Sequence, residues 1–337
     1  MAPQKKSLRQ SLITASAILL AGLVSLLFLP FINTSSKTTN LVVHRGMGFK
    51  AIVNELQHNG SIVAPWPILL TGSILPRLHI IKPGRYTIPS GMSNFQLLYY
   101  LHTRKQDEVK VTIPEGLDLR HVAHLLSHKL DFDSTGFMAA ATDSRLLAKH
   151  KIMAKNAEGY LFPGTYNFVW ANTPGEAAEF LIGRFRHFYA EKVTSAPGLH
   201  DLNETELLTL ASIIEAETPI DQEKPLVASV YRNRLKQNVR LQADPTVQYA
   251  LGGKAQRLYY KDLETDSPYN TYRHKGLPPG PICSPGARSI LAALNPADTR
   301  FLYFVATGKG GHNFAESLTE HNKNIKKYRM VRRNTIP

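Results

Sequence analysis

The chain has almost no sulfur chemistry: one cysteine, Cys283, stands among 337 residues. No intramolecular disulfide can form, whatever compartment the chain occupies. Pro281 and Pro285 pin the loop around that thiol, and nothing local activates it; a lone cysteine is most often a small buried hydrophobe. A Cys283 nucleophile assisted by His274, His312 or Asn313 stays open as an alternative. A phosphate cradle is missing too. Gly308, Gly310 and Gly311 surround Lys309, but no glycine stands five residues before Gly308 and no Ser or Thr follows Lys309, so the spacing predicts a strand-end turn and not a P-loop. His121, His124 and His128 share one helix face, yet no cysteine or carboxylate stands between them. A polar helix face is expected there, with no metal and no cofactor.

Charge is absent from residues 12–32, and acidic residues are scarce overall: 26 against 40 Lys and Arg, a net charge of +14. A 21-residue helix spans roughly 30 Å, about one bilayer core. Lys5, Lys6 and Arg9 precede the run, which favours a cytoplasmic N-terminus. The run is longer than the apolar part of a signal peptide, and Leu29-Pro30-Phe31 offers no small-x-small cleavage site. The expectation is a single-pass anchor at 12–32, residues 1–11 cytoplasmic and everything later beyond the membrane. There the excess positive charge would meet anionic envelope polymers or lipid head groups, not nucleic acid. The basic residues from Lys323 to Arg333 read as a solvated terminal helix.

What is present begins with a polar connector at 33–40, then a repeat. LVVHRGMGFKAIVNEL (41–56), YTIPSGMSNFQLLYYL (86–101) and VTIPEGLDLRHVAHLL (111–126) each run from a β-prone stretch through a glycine into a helical pattern. Gly46, Gly91 and Gly116 align, as do Ile52, Leu97 and Val122, and then Leu56, Leu101 and Leu126. A glycine at that junction supplies a turn that bulkier residues resist. Each copy is too small to bury a core alone, so copies should pack on one another or on the next domain. The units resemble LysM-type modules, which bind glycan chains, with the first two copies forming the LysM-like domain at 41–107; a structural spacer fits the pattern as well. Later helices are expected at 174–192, 204–218, 221–237, 285–295 and 316–328, and FLYFVAT (301–307) reads as a buried strand. Segregated helices and strands predict an α+β fold.

LLTLASIIEAET (207–218) sets two glutamates into an apolar helix. A carboxyl facing a core loses hydration, which favours its protonated form, and that is what a general acid needs. A structural ion pair with an arginine fits the helix equally well. Glu215 and Glu217 lie about 200° apart around the helix, so they do not face one substrate bond together. Glu217 is expected to be a structural partner, for Arg232 or Arg234, or to help orient Glu215. Three polar-aromatic strings follow: LQADPTVQYALG (241–252), SPYNTYRHKGLPPGPICSPG (267–286) and GGHNFAESLTEHN (310–322). With EGYLFPGTYNF (158–168) they supply aromatic faces beside amides and hydroxyls, as a sugar cleft requires. Gln242, Asp244, Asn270, Tyr272 and His312 are the candidates for sugar contacts or for orienting Glu215.

In this order, EGYLFPGTY, LASIIEAET, VASVYRNRL, LQADPTVQYALG, SPYNTY, GLPPGPI, LAALNP, YFVATGKGGHNF and EHN closely resemble the YceG-like family of endolytic murein transglycosylases, from about residue 41 to 328. The resemblance implies a bitopic inner-membrane lyase acting on peptidoglycan, with a periplasmic catalytic domain at 108–337 that cuts the β-1,4 bond after N-acetylmuramic acid to leave 1,6-anhydro ends. It implies that Glu215 is the catalytic glutamate. It also implies that the chain terminates nascent strands beside peptidoglycan synthases. Ser284 and Ser317 depart from the more usual Asn and Thr, which touches only fine substrate contacts. A hydrolytic muramidase and a non-catalytic glycan-binding scaffold remain the alternatives.

Overall fold

Strand–turn–helix units recur along the chain because three glycines adopt left-handed backbone angles: φ is 82° at Gly46, 75° at Gly91 and 79° at Gly116. That is the region where a Cβ is penalised. The computed structural model describes residues 3–30, 33–198, 201–253 and 257–335. Its contacts divide the chain into two compact units, residues 1–109 with 167–172, and residues 110–166 with 173–337.

The first unit starts with α1 (Pro3–Phe28), a long helix that takes in Lys5, Lys6 and Arg9 and then most of the charge-free run; Phe31 and Ile32, the end of the expected anchor, lie outside the described residues. Then come β1 (Thr39–Val43), α2 (Phe49–His58), α3 (Pro65–Ile74), β2 (Gly84–Ile88) and α4 (Asn94–Thr103). β1 and β2 pair antiparallel, Leu41 opposite Tyr86 and Val43 opposite Gly84. Alternation puts Leu41, Val43, Tyr86 and Ile88 on one face of this ribbon, where they meet Ile52, Val53, Leu56, Leu97, Leu98 and Leu101 from the helices. The aligned repeat positions Ile52, Leu56, Leu97 and Leu101 are therefore the core of this unit. The connector at 33–40 is built in: Thr34 bridges Ile62, Ser35 N–H donates to the Ser61 carbonyl, and Gly91 N–H donates to the Ser35 carbonyl.

The third repeat supplies β3 (Glu108–Ile113) and α5 (Leu119–Ser127), followed by α6 (Ser134–Ala141), α7 (Ser144–Lys149) and β4 (Gly164–Val169). β3 and β4 form a second two-stranded sheet, and both strands are divided between the units. The rest of the second unit is α8 (Pro174–Lys192), α9 (Glu204–Glu217), α10 (Lys224–Lys236), α11 (Asp244–Ala250), α12 (Ala287–Leu294), the antiparallel hairpin β5 (Tyr303–Ala306) and β6 (His312–Ala315), and α13 (Leu318–Thr335). The fold is a mixed α+β one, and the expected helices start and end within a few residues of their expected bounds, except that the last runs to Thr335, seven residues past the expected 328. Residues 301–307 are a correction: the strand is shorter, and Tyr303 to Ala306 are only half-buried because the hairpin lies at the edge of the unit.

α9 is the centre of the second unit. A capping box of Asn203 and Glu206 starts it, and the eight residues from Leu207 to Ile214 are all buried. No charge stands between Glu206 and Glu215. A helix apolar on every side belongs in a core, and α12, α10 and α11 pack around it. Its two polar interior residues are satisfied locally. Thr209 donates to the Thr205 carbonyl, and Ser212 donates to the Thr209 carbonyl while accepting the Ile282 N–H at 3.0 Å.

Candidate active site around Glu215

The last turn of α9 leaves the core and brings Glu215 to a junction of three segments. The first is the third repeat's glycine turn: a Cβ at Gly116 would sit 3.8 Å from Glu215 Cγ. That turn is sewn to the 282–286 loop, Gly116 N–H donating to the Ser284 carbonyl at 2.9 Å and Ser284 N–H to the Leu117 carbonyl at 2.8 Å. The end of the loop delivers the Gly286 N–H, and the first turn of α12 the Ser289 hydroxyl, to Glu215 Oε2, at 2.9 and 2.7 Å. From α10, Lys224 Nζ meets Glu215 Oε1 at 3.2 Å and Asp221 at 3.2 Å. The side chains of Lys224 and Glu215 are 2% and 7% exposed.

The apolar setting expected for Glu215 is thus corrected. Its helix is apolar, but its carboxyl group receives an ammonium, a hydroxyl and a backbone N–H, because α10 and α12 both begin beside the end of α9. Burial pulls the Lys224 ammonium down, but Glu215 and Asp221 outweigh it and hold the group above its ordinary value. Glu115, from the turn of the third repeat, sits against the same place. Burial raises its carboxyl, and the neighbouring Glu215 raises it further. A Cβ on Gly286 would fall 1.8 Å from Glu115 Oε1, so the glycine is what lets the second carboxyl approach.

Beside Glu215 opens a cleft of about 520 Å³, lined by Gly116, Asp118, Ala216, Gln248, Tyr249 and Ile282 among others. Glu158 lies beneath it. The Leu119 N–H donates to both its carboxylate oxygens at 3.0 and 3.1 Å, and the Tyr249 hydroxyl donates at 3.3 Å. Burial nevertheless pushes this carboxyl up to about 8. Cys283 borders the cleft with its thiol donating to the Ser212 carbonyl at 3.4 Å, and burial drives that thiol well above its ordinary value. A thiolate nucleophile is disfavoured there.

The other candidates divide into three places. Glu217, Gln242, Asp244 and Tyr272 share a separate cavity of about 270 Å³ with Tyr231, Arg234 and His321. The Tyr231 hydroxyl donates to Glu217 at 2.5 Å and the Tyr272 hydroxyl to Asp244 at 2.5 Å. Burial pushes Glu217 up to about 7, with the Tyr231 bond opposing. The expected partner Arg232 instead binds Asp201. Arg234 donates to the Leu302 and Leu241 carbonyls and comes within 3.4 Å of Gln242. Asn270 is fully buried and closes its own loop, donating to the Leu263 and Thr265 carbonyls and accepting the Tyr272 N–H. His312 is bound to Glu223, through its N–H and Nδ1, each at 2.7 Å. Burial raises the Glu223 carboxyl, but the His312 bonds outweigh it and lower the group overall.

His121 and His124 of α5 and His128, which caps its end, form no metal cluster among the described residues. His121 Nδ1 lies 2.6 Å from Asp118, and the rings of His124 and His128 meet edge to face at 4.2 Å.

A family model described as the YceG-like family matches residues 41–327. The chain belongs to the YceG-like family. It is 35% identical to an endolytic murein transglycosylase of Bacillus subtilis, an alignment covering 76% of this chain and 80% of that protein. It is 28% identical to an endolytic murein transglycosylase of Streptococcus pneumoniae, covering 73% of this chain and 50% of the relative; the chain spans about half the length of that protein. A crystal structure of a YceG-like protein from Listeria monocytogenes superposes with a TM-score of 0.57 at 29% identity, covering 86% of this chain and 99% of that one. In this YceG-like chain, Lys224, Ser289, Glu115 and Glu158 were missed by sequence reasoning. Glu115 alone carried a visible signal, since it precedes the repeat glycine in the copy whose turn reaches α9.

Proposed function

We propose that the chain is a membrane-anchored endolytic lytic transglycosylase that cuts peptidoglycan between N-acetylmuramic acid and N-acetylglucosamine, with Glu215 as its acid and base. The observation that carries this is Glu215 held by Lys224, Ser289 and the Gly286 N–H, directly before Ala216 and against Gly116, both of which line a cleft large enough for sugar rings. In its acid form Glu215 donates its proton to the glycosidic oxygen as the bond to C1 breaks. The carboxylate then takes the proton of the muramoyl C6 hydroxyl, whose oxygen attacks C1 and closes the 1,6-anhydro ring. No water is consumed, and the proton returns to Glu215. Lys224, Ser289 and the Gly286 N–H stabilise the carboxylate between the two steps.

Glu215→Gln should lower turnover by about 10²- to 10⁴-fold in a protein that still folds. Unchanged turnover in that variant refutes the assignment. Glu115 supports a second reading, a hydrolytic muramidase, because two adjacent carboxyls are what hydrolysis uses. Product mass separates the two, the anhydro sugar being lighter than the hydrolysed one by one water.

Upstream of the site, the first two repeats act as a LysM-like glycan-binding module. α1 anchors the chain by the stretch from Gln10 to Phe28, which is long and apolar enough to cross a bilayer. Its Ile13, Ile18 and Leu19 are 67%, 68% and 75% exposed, which suits lipid contact. Lys5, Lys6 and Arg9 before it favour a cytoplasmic N-terminus and a periplasmic catalytic unit at the inner membrane. That placement suits the termination of strands as synthases release them.

A further inference from the structure

α3 carries no charged residue. Its inner arc, Pro67, Ile68, Thr71 and Gly72, is buried in the first unit. Its outer arc repeats an apolar residue every fourth position, which keeps the three on one face: Trp66, Leu70 and Ile74 are 59%, 36% and 45% exposed. Val63 before the helix and Ile80 after it are more exposed still. A helix that is apolar on all sides belongs in a core or in lipid. Half of this one has no protein over it among the described residues.

The position of α3 says what covers it. α3 and α4 both pack against α1, at the end where the apolar run finishes. Leu27 is buried, the Phe28 ring lies 5.3 Å from Phe95, and the Asn94 amide donates to the Leu26 carbonyl at 2.6 Å. Asn33 ties the same place to the start of α3, accepting the Ala64 N–H at 2.9 Å and donating to the Ala64 carbonyl at 3.0 Å and to Asn94 at 3.1 Å. Charge agrees. No Asp or Glu occurs between Glu55 and Asp107, while Arg77 and Lys82 follow α3 directly, and both are exposed.

We propose that α3 is a membrane-surface helix: its Trp66–Leu70–Ile74 face, with Val63 and Ile80, is immersed in the leaflet from which α1 emerges, and Arg77 and Lys82 contact phospholipid phosphates. The proposal rests on α1 being a transmembrane anchor. Tryptophan suits the boundary between acyl chains and head groups, having a large apolar body and one N–H donor. An apolar helix face flanked by basic residues is the usual form of an interfacial helix.

The chain has two tryptophans, Trp66 and Trp170, so Trp170→Phe leaves Trp66 as the sole reporter in the full-length protein. The variant is reconstituted in vesicles of phosphatidylcholine and phosphatidylglycerol, with either plain or brominated acyl chains, and vesicle flotation is scored on the same sample. The expected result is a protein that floats, with Trp66 emission blue-shifted and at least halved by the brominated lipid. Leu70→Glu with Ile74→Glu added should still float but lose most of that quenching. A floating protein whose Trp66 is unquenched overturns the proposal and leaves the anchor standing. The same holds if Trp66 is blue-shifted but unquenched, which would mean a protein partner covers the face. A chain that does not float overturns the anchor and, with it, the proposal.

Discussion

Glu158 sits beneath the cleft in two hydrogen bonds from one backbone N–H, yet burial raises it from 4.5 to about 8. Below about pH 4.5 the carboxyl is protonated whether the chain is folded or unfolded. Between about 4.5 and 8 the unfolded chain gives up the proton and the folded one keeps it, so the group's contribution to stability falls as pH rises, by about 1.4 kcal/mol per unit, and levels off above 8. Glu158→Gln should therefore gain on the parent progressively across that window in urea denaturation, and a constant difference would contradict the burial argument. Lys224 gives the opposite test. Lys224→Met strands the Glu215 carboxylate in a nearly closed site, and removing one partner of such a pair costs about 3–5 kcal/mol. The double variant with Glu215→Gln should recover most of that loss in thermal melts. Glu215 itself was legible because it interrupts a run without charge. Its partners were not: Gly286 and Ser289 lie 71 and 74 residues further along the chain, and no local pattern links positions so far apart. Asn270 reads as a sugar ligand in its polar-aromatic string, but the fold directs its amide back to its own loop.

At the scale of elements, the glycine repeat was the most readable feature, since a left-handed turn between strand and helix has few sequence solutions. The three copies nevertheless serve different ends. In the first two, the strands pair and the helices close one core. In the third, the turn is pinned to the 282–286 loop and brings Glu115 to the site. Gly286 caps the start of α12, and its missing side chain makes room for Glu115. Gly286→Ala should push Glu115 away and draw the Gly286 N–H off Glu215, and so lower turnover on the order of 100-fold, with substrate binding to the rest of the cleft less affected; an unchanged rate would show that this approach does not matter. α3 was not anticipated at all. Its two prolines and Gly72 read as loop residues, although Pro65 and Pro67 fall in the first turn, where a missing N–H costs nothing. β6 escaped notice for a different reason: four residues, two of them His and Asn, carry no strand period.

Across the whole molecule, the net charge of +14 acts at longer range than any of these contacts. Binding to purified sacculi, which carry carboxylates, should weaken several-fold as salt rises from about 50 to about 500 mM, because screening shortens the reach of surface charge; binding indifferent to salt would assign recognition to the clefts alone. Mixed α+β composition and the order of the motifs were open to sequence reading over most of the chain, whereas the division into units depends on β3 and β4, each shared between the two. The single thiol has a practical corollary. Cys283 is buried at the cleft wall and tied to the Ser212 carbonyl, so maleimide reagents should reach it far more slowly than an exposed thiol. Any one cysteine engineered onto the exterior would take a label well ahead of it, without first stripping the wild-type protein of its own sulfhydryl.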